Sequence, residues 1–338
     1  MRKTDREQTA GQTALAKPRK DRTGLRLAIF CGLAAALVLV ALFADQIAPY
    51  DPYEQDLNQA LQAPSLAHPA GTDRYGRDLL SRIIVGGRSS IFWTLLLVAI
   101  ITVVGTVVGM VAGWRGGWLD TLLMRISDIF LAFPGLVFAL AVASVLGGGM
   151  QNAVIALAAV SWPKYARLAR GLTLTQKEQP YLRAARMAGC TTPQLIFRHV
   201  LPNIAGTILV TATLDIGTMM MELAGLSFLG LGAQAPMAEW GSMMSDNRSL
   251  LQTAPWTVLG PGIAIFVTVV VFNLLGDTLR DWMDPEHKTT QSGGQGWFKS
   301  LGRSGKSEEN TEEDCSQGGE GRPAGKEKDR KGDAAWTA

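Results

Sequence analysis

The chain has 338 residues, 47% of them hydrophobic and only 18% charged, with a formal net charge of +3. That charge content is below the roughly 25% usual in soluble domains, and the charges are strongly partitioned, which excludes an ordinary water-soluble domain. Three cysteines, Cys31, Cys190 and Cys315, have no framework or metal-type spacing, so neither a disulfide scaffold nor a bound metal is expected.

Residues 1–26 are polar and carry eight Lys or Arg, among them Lys17, Arg19, Lys20, Arg22 and Arg26. Residues 27–44 contain no charge, and neither do 89–114 or 129–163. A helix of about 20 apolar residues spans a hydrocarbon core of about 30 Å and satisfies its own backbone there. A membrane barrel would show short alternating segments, and these runs do not alternate. The first span is placed at about 25–44, as an uncleaved helix, because no small-x-small cleavage pattern ends it. Residues 45–88 are broken by Pro49, Pro52, Pro64 and Pro69, so they are predicted non-helical until about Arg77.

The second span is expected at 90–113. Gly105, Gly109 and Gly113 fall on one of its faces, where small residues admit a neighbouring helix, although glycine is also common in membrane helices generally. The run 129–163 is too long for one span, and Gly147-Gly148-Gly149 marks a turn within it. Span three therefore runs from near Leu119 to that turn, with Arg125 and Asp128 in it, and span four covers 150–169. Spans five and six are placed at 204–230 and 256–279. The fold class is thus an all-α integral membrane protein with about six transmembrane helices. Its parts are a basic cytoplasmic tail at 1–24, the membrane domain at 25–286 and a disordered cytoplasmic tail at 287–338. The tail is rich in Gly, Ser, Lys and Glu and too poor in apolar residues to offset chain entropy.

Orientation follows from the basic residues. The N-terminal tail has eight, residues 164–203 have seven and the turn at 147–152 has none, which places both termini and 164–203 in the cytoplasm. Arg74, Arg77, Arg82 and Arg88 in the outer segment run against this count. The basic residues flank apolar runs, so they are read as topology signals and no nucleic-acid partner is expected.

The central loop reads Tyr181-Leu-Arg-Ala-Ala-Arg-Met-Ala-Gly189-Cys and then His199-Val-Leu-Pro202-Asn203. A helix over about 181–187 stops at Gly189 in a left-handed conformation. Pro193 permits a second short helix, which Pro202 is expected to end before span five. Ala184-Ala185, Gly189 and Leu201-Pro202, together with His199, resemble the EAA loop of bacterial ABC importer permeases, with Arg183 where that family carries a glutamate. Three further blocks, Gly71-Thr-Asp-Arg-Tyr-Gly-Arg-Asp-Leu-Leu-Ser-Arg82, Leu226-Ser-Phe-Leu-Gly-Leu-Gly232 with Glu239-Trp-Gly241, and Phe272-Asn-Leu-Leu-Gly-Asp-Thr-Leu-Arg-Asp281, resemble the dipeptide, oligopeptide and nickel branch of that family.

The resemblance covers about residues 24–286 and is to the second permease of such systems. It implies a subunit of the bacterial plasma membrane that is not an enzyme. Its partners would be a homologous permease, two cytosolic ATPases holding ATP and Mg, and an extracytoplasmic binding protein. The loop at 177–203 would dock on the ATPase. No cofactor is expected on this chain, and Gly302-Arg-Ser-Gly-Lys-Ser307 is two residues short of a Walker loop. Asp215 and Glu222, two turns apart on one face of span five with Met219 between them, are either a seam of the translocation path or an interhelical contact. A metal-ligating role is disfavoured, since an importer must release its cargo. The span-five sequence and Ala238-Glu-Trp-Gly241 look more like the nickel branch, so a nickel chelate is preferred as cargo, with a small peptide as the close alternative. A channel or an intramembrane enzyme is the rival class.

Overall fold

The computed structural model describes residues 23–283. These form one helical bundle, and among the described residues there is no strand, only a single antiparallel bridge between Thr72 and Asp78. The C-terminal tail at 287–338 and the Walker-like stretch lie outside the described residues, as does nearly all of the N-terminal tail.

Helix α1, Thr23–Leu42, is followed by the single turn α2, Ala44–Ile47. A proline-rich segment then leads to α3, Leu79–Arg115, whose 37 residues extend well beyond the predicted 90–113. Asp78 starts it: its carboxylate accepts from the Ser81 backbone N–H at 2.8 Å, a standard N-cap. The extra turns carry Arg82 and Arg88, whose charges argued against helix within a span. Arg82 is 3% exposed and donates to the Pro52 carbonyl at 2.9 Å, while Arg88 pairs with Asp45 at 2.7 Å. At about 1.5 Å per residue α3 is about 55 Å long, so its first turns stand outside the hydrocarbon layer.

Span three departs from expectation. It is two helices, α4, Gly117–Leu131, and α5, Gly135–Val145, bent by 91° at residues 132–134. Pro134 sits at the break, where it lacks the N–H and restricts the residue before it. The three glycines at 147–149 all have positive φ and form the predicted turn. Helix α6, Met150–Lys177, runs eight residues past the predicted end. Among the described residues four helices are long and apolar enough to cross a membrane, or five counting the bent α4–α5 pair. Helix α6 is long enough but more polar; it packs against α3, α4, α5 and the later helix Leu201–Phe228, and its buried residues include Ala153, Leu157, Tyr165 and Ala169.

Close approach of α3 to α6 organises the bundle. A Cβ on Gly105 would lie 2.4 Å from Tyr165 Cβ, one on Gly109 2.2 Å from the Ala166 carbonyl oxygen, and one on Gly113 3.0 Å from the Arg170 carbonyl oxygen. The glycine face is therefore a backbone-to-backbone contact. Around it lie Leu97, Ile101, Leu157, Ile204, Leu223 and Leu226, all 1% exposed or less.

Beyond α6 come α7, Pro180–Met187, the single turn α8, Thr192–Leu195, and a π-helical turn, Ile196–Val200, that runs straight into α9, Leu201–Phe228. Helix α10, Trp240–Asn247, and α11, Trp256–Met283, complete the described residues. Helix α10 is wedged between α3, α9 and α11. Glu239, 1% exposed, caps it by accepting from the N–H groups of Gly241 at 2.9 Å and Ser242 at 2.8 Å. Burial pushes that carboxyl above the usual range, opposed by these two bonds.

Candidate functional site

The central loop forms a projecting elbow. Leu182 of α7 is 2% exposed and Leu195 of α8 is 1% exposed, both packed into the main core. Between these anchors Arg183, Ala184, Arg186, Met187 and Gly189 are exposed, Met187 by 84%, and Ala185 is partly exposed. Gly189 has φ +87°, the left-handed conformation that an L side chain resists. Thr191 starts the next turn with a reciprocal capping box to Gln194. The second short helix differs from expectation, since Pro202 does not end it. The i→i−5 bond from Leu201 N–H to the Ile196 carbonyl widens the helix just before the proline, and the Asn203 side-chain amide donates to the His199 carbonyl at 2.6 Å. Both bonds occupy carbonyls of the turn before Pro202, which has no N–H to offer.

The elbow is tied to the end of α3. Lys177 Nζ donates to the Trp114 carbonyl at 2.7 Å, and the Arg186 guanidinium lies 5.7 Å from the Trp114 ring centre. Asn203 also donates to the Tyr181 hydroxyl at 3.1 Å, and the half-exposed His199 ring is 6.4 Å from that of Tyr181. A contact at Met187 or Phe197, which is 67% exposed, is thus made on a stiff unit joined to α3, α6 and α9. Trp114 and Phe197 are absent from the sequence-based site: Trp114 ends the uncharged run 89–114 and Phe197 is a lone aromatic within the loop, and only their positions at the elbow distinguish them.

The second site lies at mid-height in the bundle. Asp215 is the fifteenth residue of the 28 in α9, and Lys164 is the fifteenth of the 28 in α6. Lys164 Nζ lies 2.6 Å from Asp215 Oδ1, and the Tyr165 hydroxyl donates to Oδ2 at 2.9 Å. Asp215 is thereby an interhelical contact, with both oxygens engaged. Lys164 had been counted with the cytoplasmic loop because it follows an uncharged run. The structure corrects that placement, because α6 continues to Lys177. The Lys164 side chain is 54% exposed. Met219 is 5% exposed and packed in the core, whereas Glu222 is half-buried and accepts no hydrogen bond from another described residue. Asp215 and Glu222 therefore differ in environment despite sharing a helix face.

The segment before α3 is a structural knot. Asp73, 1% exposed, accepts from the backbone N–H groups of Tyr75 at 2.8 Å and Arg77 at 3.0 Å and from Arg77 Nε at 2.7 Å, with Arg82 Nε 3.8 Å away. His68 links Asp78 to Gln59 at 2.9 Å on each side. Arg74 faces Asp246 at 3.9 Å. All four arginines that ran against the charge count thus have carboxylate partners.

Comparison with known proteins fits this architecture. A family model for the binding-protein-dependent transport system inner membrane component matches residues 105–288, and one for the N-terminal TM domain of oligopeptide transport permease C matches 26–64. The dipeptide transport system permease protein of Alkalihalophilus pseudofirmus is 44% identical over 257 residues, covering 76% of this chain and 84% of the relative. The glutathione transport system permease protein of Escherichia coli is 44% identical over 271 residues, covering 80% and 88%, and that of Salmonella typhimurium is 46% identical over 258 residues, covering 76% and 85%. A solved structure of the inward-facing MetNI methionine ABC transporter aligns with a TM-score of 0.44 at 19% identity, over 57% of this chain and 94% of that one. With more than half of the chain matched by the first family model, the chain belongs to the inner membrane components of binding-protein-dependent transport systems and is a permease subunit of an ABC importer, a transport subunit rather than an enzyme.

Proposed function

We propose that this permease imports a small peptide across the bacterial plasma membrane, driven by separate ATPase subunits that dock on the elbow at 177–203. The observation that carries the coupling role is the elbow itself: anchored by Leu182 and Leu195, turned at Gly189, and exposing Met187, Ala184 and Arg183 outward. An exposed apolar knob on a rigid mount suits a groove on another subunit. ATP and Mg would be held by two such ATPases. A homologous permease and an extracytoplasmic binding protein would complete the assembly. Both termini and the elbow would be cytoplasmic.

A peptide cargo now stands ahead of the nickel chelate preferred on sequence. The residues behind that preference have packing duties. A Cβ on Gly217 would meet Asn273 Oδ1 at 2.5 Å, one on Gly241 would meet the Ala224 carbonyl oxygen at 2.4 Å, and Glu239 is a helix cap. They carry little information about cargo, and the relatives compared above are named for dipeptide and glutathione transport. The test is uptake by cells with and without the intact transporter. Loss of the transporter is expected to give resistance to a toxic dipeptide and leave labelled Ni²⁺ accumulation unchanged; the reverse pattern would restore the metal reading.

A further inference from the structure

The open face of α9 is unusually polar for a helix at membrane depth. At 3.6 residues per turn, Thr207, Thr211, Thr218 and Glu222 fall within about a third of its circumference. All four are exposed or half-exposed, interspersed with Leu214 and Met221. Asp215 lies at the edge of this face and is turned toward α6, where it holds Lys164. A half-exposed lysine and a half-buried carboxylate would each cost about 2.5–3.5 kcal/mol against lipid, so this face looks onto a polar cavity or a partner.

We propose that Lys164 and Glu222 form a mid-membrane site that reads the two charged ends of a zwitterionic peptide during passage. The inference rests on the peptide reading above and adds a site to it. Lys164 has three N–H donors and commits one to Asp215, so it can bind a carboxylate without releasing its partner. Glu222, with no donor from a described residue, is free to accept from an ammonium. The scale is comparable. A dipeptide of about 7 Å with a charge-assisted hydrogen bond of about 3 Å at each end needs about 13 Å between the two protein groups. Asp215 and Glu222 are separated by a helical rise of about 10 Å, and the Lys164 ammonium stands a further 2.6 Å from Asp215. Asp215 is a positioning residue: it fixes the lysine head at mid-height and balances it when no cargo is present. Tyr165, bonded to the other Asp215 oxygen, fixes the carboxylate in turn.

The experiment uses the complete complex, with binding protein and ATPases, reconstituted in vesicles. Its probes are labelled dialanine, N-acetyl-dialanine and dialanine amide. Glu222→Gln is expected to lower the uptake ratio of dialanine to N-acetyl-dialanine at least tenfold relative to wild type. The binding protein is the same in both, so the change belongs to the permease. The double variant Lys164→Met/Asp215→Asn, which leaves no buried charge unpaired, is expected to lower the ratio of dialanine to its amide by a similar factor. Wild-type ratios in both variants would overturn the proposal while leaving the peptide reading intact. So would loss of copurification between the Glu222→Gln permease and its homologous partner, which would make this face a subunit interface. Absence of uptake of all three probes by the wild-type complex would overturn the peptide reading, and this site with it.

Discussion

Replacing Gly109 by alanine tests how tightly α3 and α6 are joined. The new Cβ would lie 2.2 Å from the Ala166 carbonyl oxygen and 2.9 Å from Ala169 Cβ, about 1 Å short of ordinary contact at the first. The obstacle is backbone within a helix, which no rotamer change can move, so α6 must shift as a unit. Overpacking of this kind costs about 1–3 kcal/mol. Alanine returns about 1 kcal/mol through its better helix propensity. Gly171 on α6 is the matched control, because a Cβ there meets nothing within 4 Å. Gly171→Ala should therefore stabilise by up to about 1 kcal/mol, while Gly109→Ala should be neutral to destabilising by about 2 kcal/mol. The assay is thermal unfolding of the purified complex in one detergent, both variants side by side. A Gly109→Ala protein as stable as Gly171→Ala would refute the backbone-contact account and return the glycine repeat to mere membrane-helix composition.

Asp73→Ala should strand the buried Arg77 and Arg82 and cost about 3–5 kcal/mol; limited proteolysis of the purified protein should then cut within residues 49–78, and unchanged protection would argue against the knot. Gly189→Pro forces φ from +87° to about −65°, and Ala185→Asp sets a carboxylate on the elbow; each is expected to abolish cargo-stimulated ATP hydrolysis while the permease still inserts and accumulates. Normal stimulation in both would remove the docking role from the elbow. In a background with Cys31→Ser and Cys315→Ser, Cys190 should react with a membrane-impermeant thiol reagent only after cells are opened; labelling of intact cells would invert the topology.

Much was legible in the chain alone because the membrane imposes a one-dimensional constraint. A helix in lipid must be apolar for about 20 residues, so uncharged runs mark spans regardless of packing, and the glycine turn at 147–149 and the elbow at Gly189 follow from local backbone chemistry. The same rule misplaced charges that find partners elsewhere in the bundle. Helix α6 continues past Lys164 because that lysine finds Asp215, 51 residues away, and α3 begins ahead of Arg82 because Pro52 and Asp73 receive it. The bend at Pro134 and the uninterrupted passage through Pro202 show a single residue type with opposite outcomes. In the first case no side chain among the described residues bonds the carbonyls just ahead of the ring; in the second a π turn and Asn203 occupy carbonyls there. Asp215 and Glu222 looked equivalent at two turns' separation. Only the tertiary structure separated them, because the cost of a charge is set by the groups that reach it from other helices, and sequence spacing records only those on its own.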